Sequence, residues 1–185
     1  MFIQTEQTPN PASLKFLPGC PVMTAGTANF TSERAAHASP LAEQLFSLPE
    51  VTGVFLGADF ITVTKDDEGD WYRLKPAILA IIMEHFTVGR PVLLDEPGRS
   101  EGDVADQEEE DEVVAQIKEL LETRVRPAVA QDGGDITFHD FEDGVVYLHM
   151  QGSCSGCPSS TATLKAGIEN MLRHYIPEVV EVRAV

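Results

Sequence analysis

The sequence predicts an α+β protein made of two small two-layer α/β-sandwich domains joined by a flexible acidic linker, and three observations carry that expectation. The chain has 185 residues, enough for two small units where one domain takes roughly 150. Its net charge of −17 is unevenly spread, with ten acids against Arg99 in residues 95–112 and −4 on each side. Residues 112–185 then read as helix, hairpin, cysteine loop, helix and strand, a complete α+β unit. The expected domains are 1–94 and 112–185, with residues 95–111 as the tether.

Composition excludes several functions before any motif is considered. With 43% apolar and 23% charged residues the chain is ordinary folding material. Its longest apolar run, Ala77 to Met83, is seven residues, far below the roughly 20 needed to span a membrane. Thirteen basic against thirty acidic residues oppose nucleic acid phosphates and anionic lipid alike, so neither nucleic acid nor membrane is an expected partner. The opening residues MFIQTEQTPNPASLKF lack a basic n-region, a long apolar core and the arginines of a transit peptide. The chain is therefore expected to stay where it is made, or to be already processed.

In the first domain, Phe2–Thr5 and Leu14–Leu17 are short β-type runs split by Pro9-Asn10-Pro11. A loop with Gly19, Pro21 and Gly26 follows. Ser39-Pro40 is a helix start, a capping hydroxyl and a first-turn proline, ahead of Leu41, Leu45, Phe46 and Leu48 and a stop at Pro49. Val51–Leu56 and Phe60–Lys65 should pair as a hairpin around Gly57-Ala58-Asp59, with Asp66–Asp70 as an acidic turn. Ile78, Leu79, Ile82, Met83 and Phe86 place a helix over Pro76–Phe86, and Val92–Leu94 is expected as an edge strand. Cys20, His37 and His85 lie on unrelated segments, so this domain reads as a binding module.

The linker sequence DEPGRSEGDVADQEEEDE, residues 95–112, has almost nothing to bury. Beyond it, Val113, Ile117, Leu120, Leu121, Val125 and Ala128 mark an amphipathic helix over Glu112–Ala130, with Pro127 expected to kink its last turn. Asp132-Gly133-Gly134-Asp135 reads as a structural turn. Ile136–Phe141 and Val145–Met150 form a hairpin around Glu142-Asp143-Gly144. After Gln151-Gly152-Ser153 come Cys154-Ser155-Gly156-Cys157, a helix bearing Leu164, Ile168, Met171, Leu172 and Tyr175 up to Pro177, and a last strand through Val180, Val182 and Ala184.

The cysteine loop is the chemical focus. Three cysteines are an odd number without disulfide-framework spacing, which suits a reducing compartment. Both loop thiols precede a helix N-terminus, whose free amides and dipole favour thiolate, the form that ligates metals and attacks disulfides. Gly152 and Gly156 let backbone amides approach whatever the sulfurs hold. On spacing alone a dithiol oxidoreductase, structural zinc and an iron-sulfur cluster carry equal weight. Zinc needs two more ligands, and His139, His149 and His174 are the nitrogen candidates of the domain. His139 and His149 fall within predicted strands, where surface or core placement is expected of them. A cluster usually takes four thiolates, so two chains would complete it.

The residues Asp132-Gly133-Gly134-Asp135, GSCSGCPSS from Gly152 to Ser160, Thr163-Leu164-Lys165 and Gly167-Ile168-Glu169 closely resemble the C-terminal NifU-like domain of the Nfu family. TPNPASLKF at Thr8–Phe16, SPLAEQLF at Ser39–Phe46 and Asp59-Phe60-Ile61-Thr62-Val63-Thr64 resemble its N-terminal domain. The resemblance spans nearly everything but the linker. It implies a non-enzymatic carrier holding a 4Fe-4S cluster, with 2Fe-2S as the alternative cargo, between the Cys154 and Cys157 pairs of a homodimer. It further implies upstream iron-sulfur scaffold proteins as donors and apo iron-sulfur enzymes of the lipoyl synthase and aconitase type as recipients. A bacterial cytosol, or a mitochondrial matrix for a processed form, is the implied compartment. Longer NifU proteins add further cysteine-bearing domains that three cysteines cannot supply, and Cys20 matches no ligand position of the family.

Overall fold

The computed structural model describes residues 1–94, 112–155 and 158–185, with side chains of the last segment from Thr161 onward. The residues expected as the tether, 95–111, and Gly156 and Cys157 of the loop lie outside the described residues. The chain divides into two compact units that part within the undescribed stretch. Both are α+β, each a sheet with helices on a shared core.

In the first unit, β1 (Gln4–Gln7), β2 (Ser13–Leu17), β3 (Ala28–Phe30), β4 (Val51–Leu56) and β5 (Ile61–Lys65) form one antiparallel sheet in the order β1-β2-β5-β4-β3. Four strands match the expected runs, with β1 displaced two residues towards the C-terminus. The fifth, β3, was not expected, and neither was the short helix α1 (Glu33–Ala36). Helix α2 (Pro40–Phe46) begins as the sequence indicates, with the Ser39 hydroxyl accepting from the Ala42 amide at 3.1 Å. That same hydroxyl donates to the Val92 carbonyl.

Two expectations for this unit are corrected. Helix α3 runs Trp71–Val88 and so starts five residues before Pro76, because the Asp70 carboxylate accepts from the Tyr72 amide and supplies the cap. Pro76 is accommodated inside it. Val92–Leu94 is no strand; the segment is tied instead to the α2 entry, through Ser39 and through the Leu94 amide bonding to the Ala38 carbonyl at 2.9 Å. Leu41, Ala42 and Leu45 of α2 and Leu74, Ile78 and Ile82 of α3 share one buried core with Phe16, Val54, Leu56, Ile61 and Val63 of the sheet.

The second unit opens with a helix in three parts. Helix α4 (Glu112–Leu120) passes through a π-helical turn over Leu121–Val125 into α5 (Arg126–Gln131). The expected kink in the last turn is thus replaced by a wider turn just before Pro127, where the Arg126 amide reaches back five residues to the Leu121 carbonyl. One extra residue in the turn changes the bearing of everything after it. Ile117, Leu121, Val125 and Val129 nevertheless all stay in the core.

Strands β6 (Gly134–Glu142) and β7 (Val145–Gly152) are antiparallel, joined by Asp143 and Gly144 at φ 50° and 79°. Positive φ at both turn residues gives the tight hairpin its right-handed twist, and glycine takes the second position without strain. Helix α6 (Pro158–Tyr175) returns the chain so that β8 (Glu181–Ala184) lies parallel to β7, in the order β6-β7-β8. Ile136, Val146, Leu148 and Val182 of the sheet pack with Ile168, Leu172 and Ile176 in the same core as the first helix. Gly134, expected within a turn, is the first residue of β6 and pairs with Gly152. That pairing brings the two glycine-rich segments together.

Candidate metal centre

Cys154 sits where β7 ends and the chain turns towards α6. Gly152 adopts φ 65°, a left-handed conformation that glycine takes freely, and turns the chain out of the strand. The next three residues are then fixed from two directions. The Ser153 hydroxyl donates to the Asp132 carbonyl at 2.5 Å and its amide bonds to the Gly133 carbonyl at 3.3 Å, tying the loop to the turn before β6. From the helix side, Thr161 donates its hydroxyl to the Cys154 carbonyl at 3.1 Å. The roles of Ser153 and Thr161 depend on segments distant in sequence, so no local pattern reports them.

The thiol itself points inward. Cys154 is 7% exposed and belongs to the core with Ile136, Leu148 and Ile168. A Cβ placed on Gly134 would lie 2.5 Å from the Cys154 sulfur, 2.9 Å from the Gln151 carbonyl oxygen and 3.1 Å from the Cys154 amide nitrogen. Only glycine leaves that space. Gly134, expected only as part of a structural turn, thus also leaves the space that the Cys154 sulfur occupies.

Behind Gly134 the backbone is clamped by charge. Asp135 is 4% exposed and receives Arg126 through Nε at 2.9 Å and Nη2 at 3.0 Å, while its Oδ1 also accepts the Ile136 amide at 2.9 Å. Arg126 additionally pairs with Glu122 one turn earlier. Hydrogen bonding to Asp135 holds the guanidinium more basic than usual, outweighing its partial burial. Such a bidentate, largely buried pair is geometrically demanding, and it sets the start of β6 against the cysteine loop.

The electrostatics correct one expectation outright. A helix N-terminus was expected to favour thiolate at both cysteines, but burial pushes the Cys154 thiol up to about 11, with the Asp132 carboxylate adding to the rise and the Ser153 hydrogen bond opposing it. Desolvation wins over the dipole because the sulfur faces the core. In the metal-free protein, alkylation of Cys154 should be slow at pH 8 and accelerate as pH rises towards 11, read by mass spectrometry against the unfolded chain. A plateau already reached near pH 8 would contradict the buried thiol. The raised value also means that this group's contribution to stability is complete below pH 9.0, its ordinary value, and is lost as pH climbs towards 11.

The histidines do not converge on the thiol. His139 and His149 are exposed, His149 on the face of β7 opposite to buried Leu148, and His174 is exposed on α6. Among the described residues no three of His, Cys, Asp and Glu gather as a metal site. In the first unit, Cys20 is half-buried, His37 is exposed beside Glu43 at 3.0 Å and His85 is buried on α3.

Comparison with known proteins bears on both units. Residues 3–89 match the family described as scaffold protein Nfu/NifU N terminal, and residues 117–183 match the NifU-like domain. A human relative, the NFU1 iron-sulfur cluster scaffold homolog, mitochondrial, is 56% identical over 186 residues, covering 100% of this chain and 72% of its own length. NifU-like protein 4, mitochondrial, from Arabidopsis thaliana is 55% identical over 97% of this chain, which spans 64% of that protein. For NifU-like protein 5 from the same plant the span is 66%. The solution structure of a NifU-like protein from Saccharomyces cerevisiae covers 52% of this chain and 87% of its own at 29% identity, with a TM-score of 0.47.

Proposed function

We propose, from the premise that this chain belongs to the Nfu/NifU scaffold family, that it receives an iron-sulfur cluster as cargo and passes it to recipient proteins without catalysing a reaction of its own. Cys154 and Cys157 are the ligands in this reading, two of the four thiolates that a cluster usually takes. A second copy of the chain supplies the other two. The cargo is a 4Fe-4S cluster held between subunits, with upstream scaffold proteins as donors and apo iron-sulfur enzymes, of the lipoyl synthase and aconitase type, as recipients.

The observation that carries the proposal is the seating of Cys154 against Gly134, with Ser153 and Thr161 holding the loop on either side. A buried protonated thiol is a poor nucleophile, which disfavours a dithiol oxidoreductase attacking through Cys154. Zinc shared with the cysteine loop is disfavoured, because Cys154 faces the core while His139, His149 and His174 are exposed. A carrier, by contrast, benefits from a cargo-free state that buries its own ligand. Loading draws the sulfur out and removes its proton, and thiolate exchange with a recipient lets it return to the core. The mitochondrial relatives support a mitochondrial matrix over a bacterial cytosol.

Iron, zinc and acid-labile sulfide measured on protein purified without oxygen test the reading. Iron and sulfide in equal amounts, at about two of each per chain, are expected for a cubane with four of each shared by two subunits. Stoichiometric zinc without sulfide, lost on Cys154→Ala, would overturn the proposal.

A further inference from the structure

The outer face of the second unit's sheet carries an arrangement with no part in the cysteine chemistry. The β6–β7 register shifts between Phe138 and Asp140, so His139 is the extra residue of a β-bulge, a feature that re-aims a side chain. It turns towards His149 on β7, which pairs with Thr137. The His149 Nε2 and His139 Nδ1 atoms lie 3.1 Å apart, the rings meet edge to face with centroids at 4.5 Å, and both residues are exposed.

That separation matches the bite of one metal ion. Two metal–nitrogen bonds of about 2.0–2.1 Å opened to roughly 95–100° span about 3.1 Å. The geometry points to a divalent transition-metal site formed by the His139 and His149 imidazoles, with water filling the remaining positions. Neutral imidazole suits copper, nickel and zinc, and the angle suits the square or octahedral preference of Cu(II) and Ni(II) better than a regular tetrahedron. The backbone positions of both residues are set by strand pairing, so only the two rings need to turn to aim at a shared ion. One ring nitrogen of the pair donates its proton to the other in the metal-free state. Occupation moves that proton to the far nitrogen of the same ring, and no net charge is lost from the protein. An overall charge of −17 favours approach of a cation.

The site is independent of the cluster ligands. Cys154 lies in the core, whereas the two imidazoles stand on the opposite, solvent face of the sheet. Titration of the full chain with Ni(II), without oxygen, tests the assignment in the wild type, His139→Gln and His149→Gln, by calorimetry and by paramagnetic broadening of imidazole resonances. Both histidines should broaden first at substoichiometric Ni(II), and each substitution should weaken that binding at least tenfold. Cys154→Ala, which removes a cluster ligand, should leave it intact, so failure here is distinguishable from failure of the carrier reading. Unchanged affinity in either histidine variant, or first broadening elsewhere, would overturn the paired site.

Discussion

Gly134→Ala is expected to strip the protein of its cargo and to destabilise the second unit by about 1–3 kcal/mol, the usual cost of overpacking a tight interior. The new methyl carbon would stand 2.5 Å from the Cys154 sulfur, and the thiol could swing aside. The other two neighbours cannot. The Gln151 carbonyl at 2.9 Å and the Cys154 amide at 3.1 Å are backbone, and Gln151 is held by its pairing with Asp135. Relief therefore requires the β6–β7 pairing or the cysteine loop to move, and either shift displaces Cys154. For a unit of this size each kcal/mol is worth about 4–8 °C in the midpoint, so a thermal melt resolves the effect. Gly167 on α6 is the control, because a Cβ there meets nothing within 4 Å. Gly167→Ala should be neutral or stabilising by up to about 1 kcal/mol. Equal behaviour of the two variants would show that Gly134 does not position Cys154.

Cys154→Ala and Cys157→Ala should each leave a colourless protein after anaerobic reconstitution, with iron reduced to background, since a homodimer of either variant retains only two of the four thiolates that a cluster usually takes. A loop thiol outside the core would be replaceable with little loss of stability. Cys154 is instead 7% exposed and in contact with the core, so Cys154→Ser, which buries a hydroxyl in apolar surroundings, should cost about 1–3 kcal/mol. Cys154→Ala keeps the site apolar and is the cleaner test. Full cluster retention in either alanine variant would remove that cysteine from the ligand set.

Much of the fold was legible because its longer elements announce themselves locally. Ser39-Pro40 at the start of α2, the apolar runs of β4 and β5 and the Asp143-Gly144 turn are each read from a few neighbouring residues. Strand β3 and helix α1, three and four residues long, are too short to show a period. The start of α3 was missed because Pro76 resembles a first-turn proline, while the actual cap is Asp70. The cysteine motif was equally plain in sequence, but the state of its first thiol was not. Burial of Cys154 depends on Gly134 pairing with Gly152 across the sheet, and on the Arg126–Asp135 clamp that a π-helical turn sets in place. Those are long-range contacts, and no local pattern reports them.

The native mass of the reconstituted protein, measured without oxygen alongside its cluster spectrum, addresses the shared-ligand claim most directly. A single 4Fe-4S cluster bound by two chains, falling apart to cluster-free monomers when a chelator removes the iron, is the expected result. A complete cluster on one chain, with no added thiol in its mass, would contradict the account.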